Sequence, residues 1–415
     1  MASTATIVGG GSVDTSALST ATAAATASAL ANISSTATNA VVATSLATPV
    51  SAAADTITIY NVTVPSTPTV LVAPTGSSGI IISGSGDAQV IGSSSATNQI
   101  LVGNDSNDVI NTGGGSGTVI AGDGNNVLGT PAAVGASAQV PVGASAALSG
   151  NTDFVAGNGN NIIIAASGDD TVTAGTGSNT IFGGTGNSLI FSSGNDTIVA
   201  GSGNDTIGIG SGNTQAFGTT GNTLFIGGSG ANTVVGGTGS STIFGGAGGG
   251  LFSAGQGTND TIVGGSGNAT LIGGLGNDQL FNTGSATDLL VAGAGNQTLV
   301  GGTGSNTFIA GSGNTTVYGG SGNDAIFGGT GSDTLFGGGG TNIFAFSTVF
   351  GGGNSTIEDF GASTSNELSI QGYGLTASQV LADATVTGGN TVITLSDKTS
   401  ITLVGFTNLK VGQIG

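Results

Sequence analysis

Carboxylates are the side chains of this chain that could do chemistry, and they recur at a fixed place in a nine-residue phrase. In the copies Gly319–Phe327 (GGSGNDAIF) and Gly328–Phe336 (GGTGSDTLF), the sixth position is an aspartate. With 21 acidic residues against two lysines, the net charge of −19 favours divalent cations as ligands. The candidate ligands at position six are Asp170, Asp196, Asp205, Asp260, Asp278, Asp288, Asp324 and Asp333.

The composition excludes most catalytic chemistry. The chain has no cysteine and no histidine, which removes thiolate sites, the commonest zinc ligand and every Ser-His-Asp arrangement. Lys398 and Lys410 are its only basic side chains, whereas binding to nucleic acid or to an anionic membrane needs clustered cations. We therefore predict a protein that is not an enzyme and that binds no nucleic acid. A lyase or epimerase on a solenoid, or ice binding by threonine rows, is a weaker alternative.

Two targeting features are not expected from the sequence. No apolar stretch is long enough to span a membrane, so membrane insertion is not predicted. The N-terminus lacks a basic region followed by an apolar core, so a cleaved secretory signal is not predicted either.

The nine-residue period predicts a coil that stacks on itself. In a copy such as Gly264–Ile272, glycines at positions one, two and four permit a tight turn, and positions seven to nine form a short strand. Two copies complete one coil, so turns on one side come from every second copy. Recurring apolar pairs argue against disorder. We expect position eight to point inward, at Ile181, Ile190, Ile243, Leu271, Leu280, Ile326 and Leu335, where small aliphatic side chains suit a thin core.

Position nine then points outward, and it is mostly apolar. Apolar stripes of that extent are rare on monomeric soluble proteins, which favours self-association, although the fold's own edges or the N-terminal arm could cover them. The outward residues are Phe182, Phe191, Phe217, Ile226, Val235, Phe244, Val263, Ile272, Phe281, Val300, Ile309, Tyr318, Phe327 and Phe336.

Changes in composition divide the chain into four parts. Residues 1–55 are an Ala/Ser/Thr-rich arm, in which the apolar spacing from about Asp14 to Thr48 suits a weak helix, with an unfolded leader as the alternative. Residues 56–155 are an irregular solenoid start, residues 156–346 a regular nonapeptide solenoid, and residues 347–415 a small β-rich cap. The predicted fold class is therefore all-β, a parallel β-roll or β-solenoid.

Local patterns add detail to the irregular parts. Alternation predicts a strand at Thr56–Val64, and Gly129–Gly150 breaks the repeat as an inserted loop. In the cap, Thr376–Ala384 is a short helix with Thr376 as its N-cap. The strands Thr391–Leu395 and Ile401–Val404 form a hairpin.

The phrase G-G-x-G-x-D-x-(apolar)-x resembles the nonapeptide of RTX, or haemolysin-type calcium-binding, proteins over roughly residues 80–346. The segments Thr356–Phe360 and Glu367–Ile370 are similar to the C-terminal end of that family. The resemblance implies an extracellular protein exported by type I secretion through an uncleaved C-terminal signal. It also implies calcium, held between successive turns on one side by position-six aspartates and turn carbonyls.

Position six departs from the family pattern in many copies. By the register, Asp260 and Asp278 are the only aspartates that neighbour each other on one side, so we predict few calcium ions, with this pair the best site. Glu358 and Asp359, before Phe360, either bind a last calcium or lie in a solvated turn. The other position-six residues are Asn179, Ser188, Thr214, Thr223, Asn232, Ser241, Ala269, Gln297, Asn306 and Thr315. Hydrogen-bonded ladders are expected where Asn, Ser and Thr stack in many of these turns.

These features predict a self-assembling extracellular structural protein, such as a filament, sheet or surface-layer subunit. Its partners would be copies of itself, and a cell-surface polysaccharide is a further candidate. The alternative function is a calcium-binding secretion or adhesin module that folds when it meets calcium outside the cell.

Overall fold

The protein is described by a computed structural model. It divides into two compact units, residues 1–216 and 217–415. Within the described residues, no helix is long and apolar enough to cross a membrane. The described residues are 4–6, 12–14, 24–27, 39–43, 56–64, 66, 69–73, 79–92, 99–113, 115–129, 150–165, 167–350 and 353–415.

The first unit is a parallel β-solenoid whose strands alternate between two sheets from Thr56 onward. One sheet contains, in order, Asn39–Ala43, Thr56–Val64, Gly79–Gly84, Gln99–Val102, Gly117–Ile120, Thr152–Val155, Thr171–Thr173, Leu189–Ser192 and Asp205–Ile209. The other contains Thr69–Val72, Ala88–Ile91, Val109–Asn111, Val127–Gly129, Ile162–Ile164, Thr180–Phe182 and Thr197–Val199.

The second unit is built in the same way. One sheet contains Thr223–Ile226, Ser241–Phe244, Thr261–Val263, Gln279–Phe281, Gln297–Val300, Thr315–Tyr318, Ser332–Phe336 and Asn354–Ile357. The other contains Asn232–Val235, Gly250–Ser253, Ala269–Ile272, Leu289–Val291, Thr307–Ile309, Ala325–Phe327, Ile343–Ser347 and Glu367–Gln371. The strand Gln215–Phe217 contains the boundary between the units. The predicted all-β parallel solenoid is confirmed in both units.

The C-terminal cap follows the predicted elements closely. The strands Asn390–Thr394 and Ser400–Leu403 pair antiparallel, and Lys398 in their connection adopts a φ of 73°. The helix Ala377–Asp383 begins after Thr376, whose hydroxyl accepts the N–H of Gln379 in a capping box. The cap also contains the strand Thr385–Thr387 and the 3-10 helices Phe360–Ala362 and Val411–Gln413.

The inner rung of each coil is position eight, as predicted. All seven side chains named for it are fully buried, and Ile243 is the most exposed of them at 1%. The expectation of a purely aliphatic rung was wrong, since Phe252 and Phe308 also fill it at 0% exposure. The position-one glycine of the same copy makes the room: a Cβ on Gly245 would lie 2.6 Å from the Phe252 ring, and one on Gly301 would lie 2.7 Å from Phe308.

The structure describes short parts of the N-terminal arm, and the predicted helix is confirmed in one of them and wrong in another. Residues 24–27 form a helical turn, but Asn39–Ala43 is a strand that pairs with residues 56–60. The adjacent β-branched Val41 and Val42 favour a strand over a helix, which explains the error. The strands Thr4–Thr6 and Ser12–Asp14 pair antiparallel. Residues 130–149 of the predicted loop lie outside the described residues.

Candidate metal-binding turns

Stacking of the coils brings position-six side chains from every second copy into columns. The backbone N–H of Asn161 donates to Oδ1 of Asn179 at 3.0 Å, and that of Asp324 donates to Oδ1 of Asn342 at 2.9 Å. In these pairs the position-six side chain accepts a hydrogen bond from the preceding turn of its own column. Asp260 and Asp278 are such neighbours, with a distance of 3.0 Å from the N of Asp260 to Oδ1 of Asp278.

All eight candidate aspartates are buried in these columns, with at most 3% of their surface exposed. In each of them Oδ1 accepts the backbone N–H of the position-six residue one turn earlier. The donors, in the order of the aspartates along the chain, are Thr152, Asn179, Ser188, Ser241, Asp260, Ala269, Asn306 and Thr315. The columns therefore bring Asp260 and Asp278 together and leave the other candidates without an aspartate neighbour in their own column.

The second carboxylate oxygen separates the aspartates into classes. Oδ2 of Asp278 accepts the N–H of Gly274 at 2.7 Å, and Oδ2 of Asp333 accepts that of Gly329 at 2.9 Å. Oδ2 of Asp196 accepts from Ser192 and Gly194. By contrast, a buried Oδ2 without any hydrogen-bond partner occurs in Asp205, Asp260, Asp288 and Asp324. We call the turns of these four residues the open Asp turns.

Burial makes the open carboxylates poor anions in the absence of a counter-charge. Desolvation raises the pKa of Asp205, Asp260 and Asp324 to about 6, and it also raises the pKa of Asp288. The charge of Asp278 adds to the effect at Asp260. No Lys, Arg or His precedes Lys398 in the sequence, so no side-chain cation from the repeats can offset these charges.

Asparagine at position six satisfies its turn without a cation. Nδ2 of Asn161 donates to the carbonyl oxygens of Gly157 at 3.3 Å and Gly159 at 2.7 Å, and to Oδ1 of Asn179 at 2.9 Å. The two glycines are positions two and four of the same turn. Nδ2 of Asn126 and of Asn179 makes the corresponding three bonds. We call this set of oxygens the turn cage, and the turns of Asn126, Asn161 and Asn179 the Asn turns.

The predicted hydrogen-bonded ladders are confirmed for asparagine and are wrong for several Ser and Thr residues. The Oγ of Ser188 bonds to Gly183 within its own turn, at 2.8 Å. The hydroxyls of Thr223, Ser241 and Thr315 are buried and accept or donate no hydrogen bond. A hydroxyl on Cβ is one atom shorter than a carboxamide, which explains why it does not reach the next turn.

Gln297 contacts the turn of Asp278, which was not expected from the sequence. It follows Asp278 in the same column, and its Nε2 lies 3.2 Å from Oδ2 of that aspartate. The same nitrogen lies 3.2 Å from the carbonyl oxygen of Gly274, 3.4 Å from that of Gly276 and 3.3 Å from that of Ala294. The signal in the sequence was its length, because the other residues at position six have shorter side chains than glutamine.

Of the two acidic residues in the tail, Asp359 makes side-chain contacts with backbone donors. Oδ1 of Asp359 accepts the N–H of Gly337, and Oδ2 accepts that of Gly338, both at 2.8 Å. Asp359 is therefore bound to a turn of the second unit through backbone donors.

The open Asp turns fit calcium chemically. Calcium takes six to eight oxygens from carboxylates and carbonyls, and each open turn offers an unpartnered carboxylate oxygen. A Cβ on Gly319 would lie 2.7 Å from Oδ2 of Asp324, so that oxygen faces the inside of its own turn. Among the described residues no group of three or more His, Cys, Asp or Glu side chains lies together, so an ion would take one or two carboxylates and backbone oxygens.

Comparisons with known proteins agree with this reading of the repeats. The profile described as RTX calcium-binding nonapeptide repeat (4 copies) matches more than half of the chain, at residues 93–128, 149–191, 192–216, 226–249, 254–282, 282–317 and 318–346. A search of the curated proteins found no match. Among solved structures, the extracellular lipase LipA from Serratia marcescens is 17% identical over 59% of this chain and 44% of the lipase, with a TM-score of 0.22. A likeness this weak, over less than half of the lipase, says nothing about activity.

Proposed function

Because the chain belongs to the RTX calcium-binding nonapeptide repeat family, we propose that it is an extracellular structural module that binds calcium at a minority of its turns. The observation that carries the proposal is the unpartnered Oδ2 in each of the four open Asp turns. A buried carboxylate oxygen without a partner destabilises a fold, and a divalent cation removes that penalty. Calcium would be held by Asp205, Asp260, Asp288 and Asp324, together with turn carbonyl oxygens.

The proposed role of the ion is to stabilise a fold in which many turns already have hydrogen-bond donors for their buried oxygens. The Asn turns and the turns of Asp278 and Asp333 have their own donors, whereas the open turns do not. Export to a calcium-rich exterior would then stabilise the solenoid by mass action without being the sole condition for folding.

Calorimetric titration with calcium, together with thermal melting in chelator and in calcium, tests this function. We expect a stoichiometry of a few ions per chain, a higher Tm with calcium, and strand signal in circular dichroism that persists in chelator below that Tm. Magnesium serves as the matched ion control, because it prefers a smaller octahedral site and keeps its water. The absence of any calcium binding, or occupancy of nearly every turn, would contradict the proposal.

A second candidate function is association with further copies of the same chain, and one row of side chains in the second unit favours it. Parallel pairing lines up seven outward apolar residues on one sheet: Ile226, Phe244, Val263, Phe281, Val300, Tyr318 and Phe336. We call them the apolar row. At the usual strand spacing it is about 29 Å long. Ile226 is 46% exposed and Tyr318 44%, and the rings of Tyr318 and Phe336 stack with centroids 4.9 Å apart.

The opposite sheet of the same unit lacks an equivalent surface. Its outward row is interrupted by Ser253 and ends at Ala345, and its large members are half-buried. The apolar stripes expected on both faces are therefore unequal in this unit. A second copy is the occupant that suits the apolar row, because a row without charges lets two such faces meet without like-charge contact between their own side chains.

Sedimentation velocity and electron microscopy on the full chain test self-association. The double variant Phe244→Ser with Tyr318→Ser should shift the protein towards monomer, while Leu251→Ser, which removes an exposed apolar side chain from the other sheet, should not. A wild-type chain that stays monomeric at high concentration, with and without calcium, would contradict this second function.

A further inference from the structure

We propose that side-chain amide nitrogens replace calcium in part of this solenoid, and that Gln297 closes the turn cage of Asp278 from the neighbouring turn. The inference rests on the proposed calcium function, since it states which turns are closed to the ion. The sequence predicted that Asp278 and Asp260 together form the best calcium site. The N–H of Gly274 already donates to Oδ2 of Asp278, and the contacts of Gln297 fill the rest of that cage, which leaves Asp260 as an open turn on its own.

The position of the Gln297 nitrogen is that of a cation. It lies between 3.2 and 3.4 Å from four oxygens, which come from two successive turns. Gly274 and Gly276 are positions two and four of the Asp278 turn, and they are the counterparts of Gly157 and Gly159 in the cage of Asn161. The cage of Asp278 is thus complete, but its centre is filled by N–H groups.

The orientation of the amide is fixed by its surroundings. Oε1 of Gln297 has no hydrogen-bond partner, whereas reversal of the amide would place that oxygen among the four cage oxygens. An amide has two N–H donors and one acceptor oxygen, so only the orientation with nitrogen in the cage is favourable. The bond from Nε2 to the Asp278 carboxylate is charge-assisted, which strengthens it further.

The length of the side chain decides which cage is filled. Asparagine reaches the carbonyls of its own turn, as Asn161 does with Gly159 at 2.7 Å. Glutamine is one methylene longer and reaches the cage of the turn before it. A glycine makes this possible: a Cβ on Gly273, in the copy that contains Asp278, would lie 1.9 Å from Oε1 of Gln297.

The replacement of one atom tests the proposal. Gln297→Glu keeps the shape of the side chain but puts an oxygen where the nitrogen lies, so the filled cage becomes an all-oxygen site. In chelator we expect the Tm to fall below that of the wild type, and calcium should raise it by more than it raises the wild-type Tm. Gln279→Glu is the matched control, because Gln279 is exposed on an adjacent strand of the same sheet and should leave both values unchanged.

Gln297→Ala provides a second measurement should the Glu variant fail to fold in chelator. Removing the amide leaves the oxygens of Gly274, Gly276, Ala294 and Asp278 around an empty cage, and Oδ2 keeps a lone pair beside the N–H of Gly274, so calorimetric titration should give one more calcium per chain than the wild type. Equal stoichiometry in the two proteins would overturn the inference while leaving calcium binding by the wild type intact. If the wild type binds no calcium and Gln297→Ala gains one ion, the proposed function fails and the role of Gln297 stands. If neither protein binds calcium, both are overturned.

Discussion

The Asn turns of the first unit and the open Asp turns of the second differ by one atom. Asn161 and Asp324 are both buried at position six, and both use Oδ1 to accept a backbone N–H from the preceding turn. In Asn161 the second atom is a nitrogen that bonds to two turn carbonyls, whereas in Asp324 it is an oxygen without a partner. Where the backbone gives the second side-chain atom no donor, as at Asp324, that single atom decides whether the turn contains an unpartnered buried polar group.

A substitution in the shared backbone should have the largest effect and should not distinguish the two kinds of turn. A Cβ on Gly159 would lie 2.1 Å from the carbonyl oxygen of Gly124, and one on Gly322 would lie 2.0 Å from that of Gly304. We expect Gly159→Ala and Gly322→Ala each to lower the free energy of unfolding by about 4 kcal/mol. Calcium should not restore either loss, as measured by urea denaturation with and without the ion.

Gly412→Ala is the control for that prediction, because nothing lies within 4 Å of a Cβ at this position. It should change the free energy of unfolding little. If calcium restored Gly322→Ala but not Gly159→Ala, the two kinds of turn would differ in backbone as well as in the position-six atom, and the comparison would break.

The sequence predicted the parts of the structure that follow from periodicity. The period placed Leu271 and Leu280 inside, put Asp260 beside Asp278, and put Asp324 and Asp333 in different columns. Local capping chemistry placed the helix after Thr376. These features depend on spacing along the chain, which the sequence states directly.

The hydrogen bonds of each turn could not be predicted from the same pattern. Asp324 and Asp333 stand in almost identical phrases, GGSGND and GGTGSD, yet only Asp333 receives the N–H of the residue four positions earlier on Oδ2. The difference depends on the direction of single peptide groups, which glycine leaves free. The contact of Gln297 with the cage of Asp278 could not be predicted for another reason. It joins side chains from two turns, 19 residues apart in the sequence.

Placing an aspartate in an Asn turn should have the next largest effect. Asn161→Asp puts a carboxylate oxygen opposite the carbonyls of Gly157 and Gly159 and opposite Oδ1 of Asn179. We expect a loss of about 3 kcal/mol in chelator, because a buried charged group is left unpaired. Calcium should recover much of it, since the cage then resembles an open Asp turn.

Asn160→Asp is the matched control for the Asn161 variant. Asn160 is the exposed neighbour at position five, and its Oδ1 accepts the N–H of Ser178 at 2.7 Å, a role that a carboxylate keeps. Its free energy of unfolding should stay close to that of the wild type, with and without calcium. Equal losses in the two variants would mean that added charge on the column, rather than the atom in the cage, is responsible.

Replacing a position-six aspartate by asparagine should have the smallest effect on stability. The change should be stabilising at one aspartate and destabilising at another. Asp324→Asn puts N–H groups beside the oxygens of its turn and removes a desolvated carboxylate, so we expect a gain of about 1 kcal/mol in chelator and a smaller calcium-induced rise in Tm. Asp333→Asn instead loses an acceptor, because Oδ1 and Oδ2 of Asp333 take the N–H groups of Thr315 and Gly329 at 3.1 and 2.9 Å. An amide can accept only one of these on its oxygen, so this variant should melt at a lower temperature than the wild type in chelator. Melting curves of both variants and of the wild type, recorded in chelator, test the two expected shifts in Tm. If both shift in the same direction, the second carboxylate oxygen does not distinguish the turns.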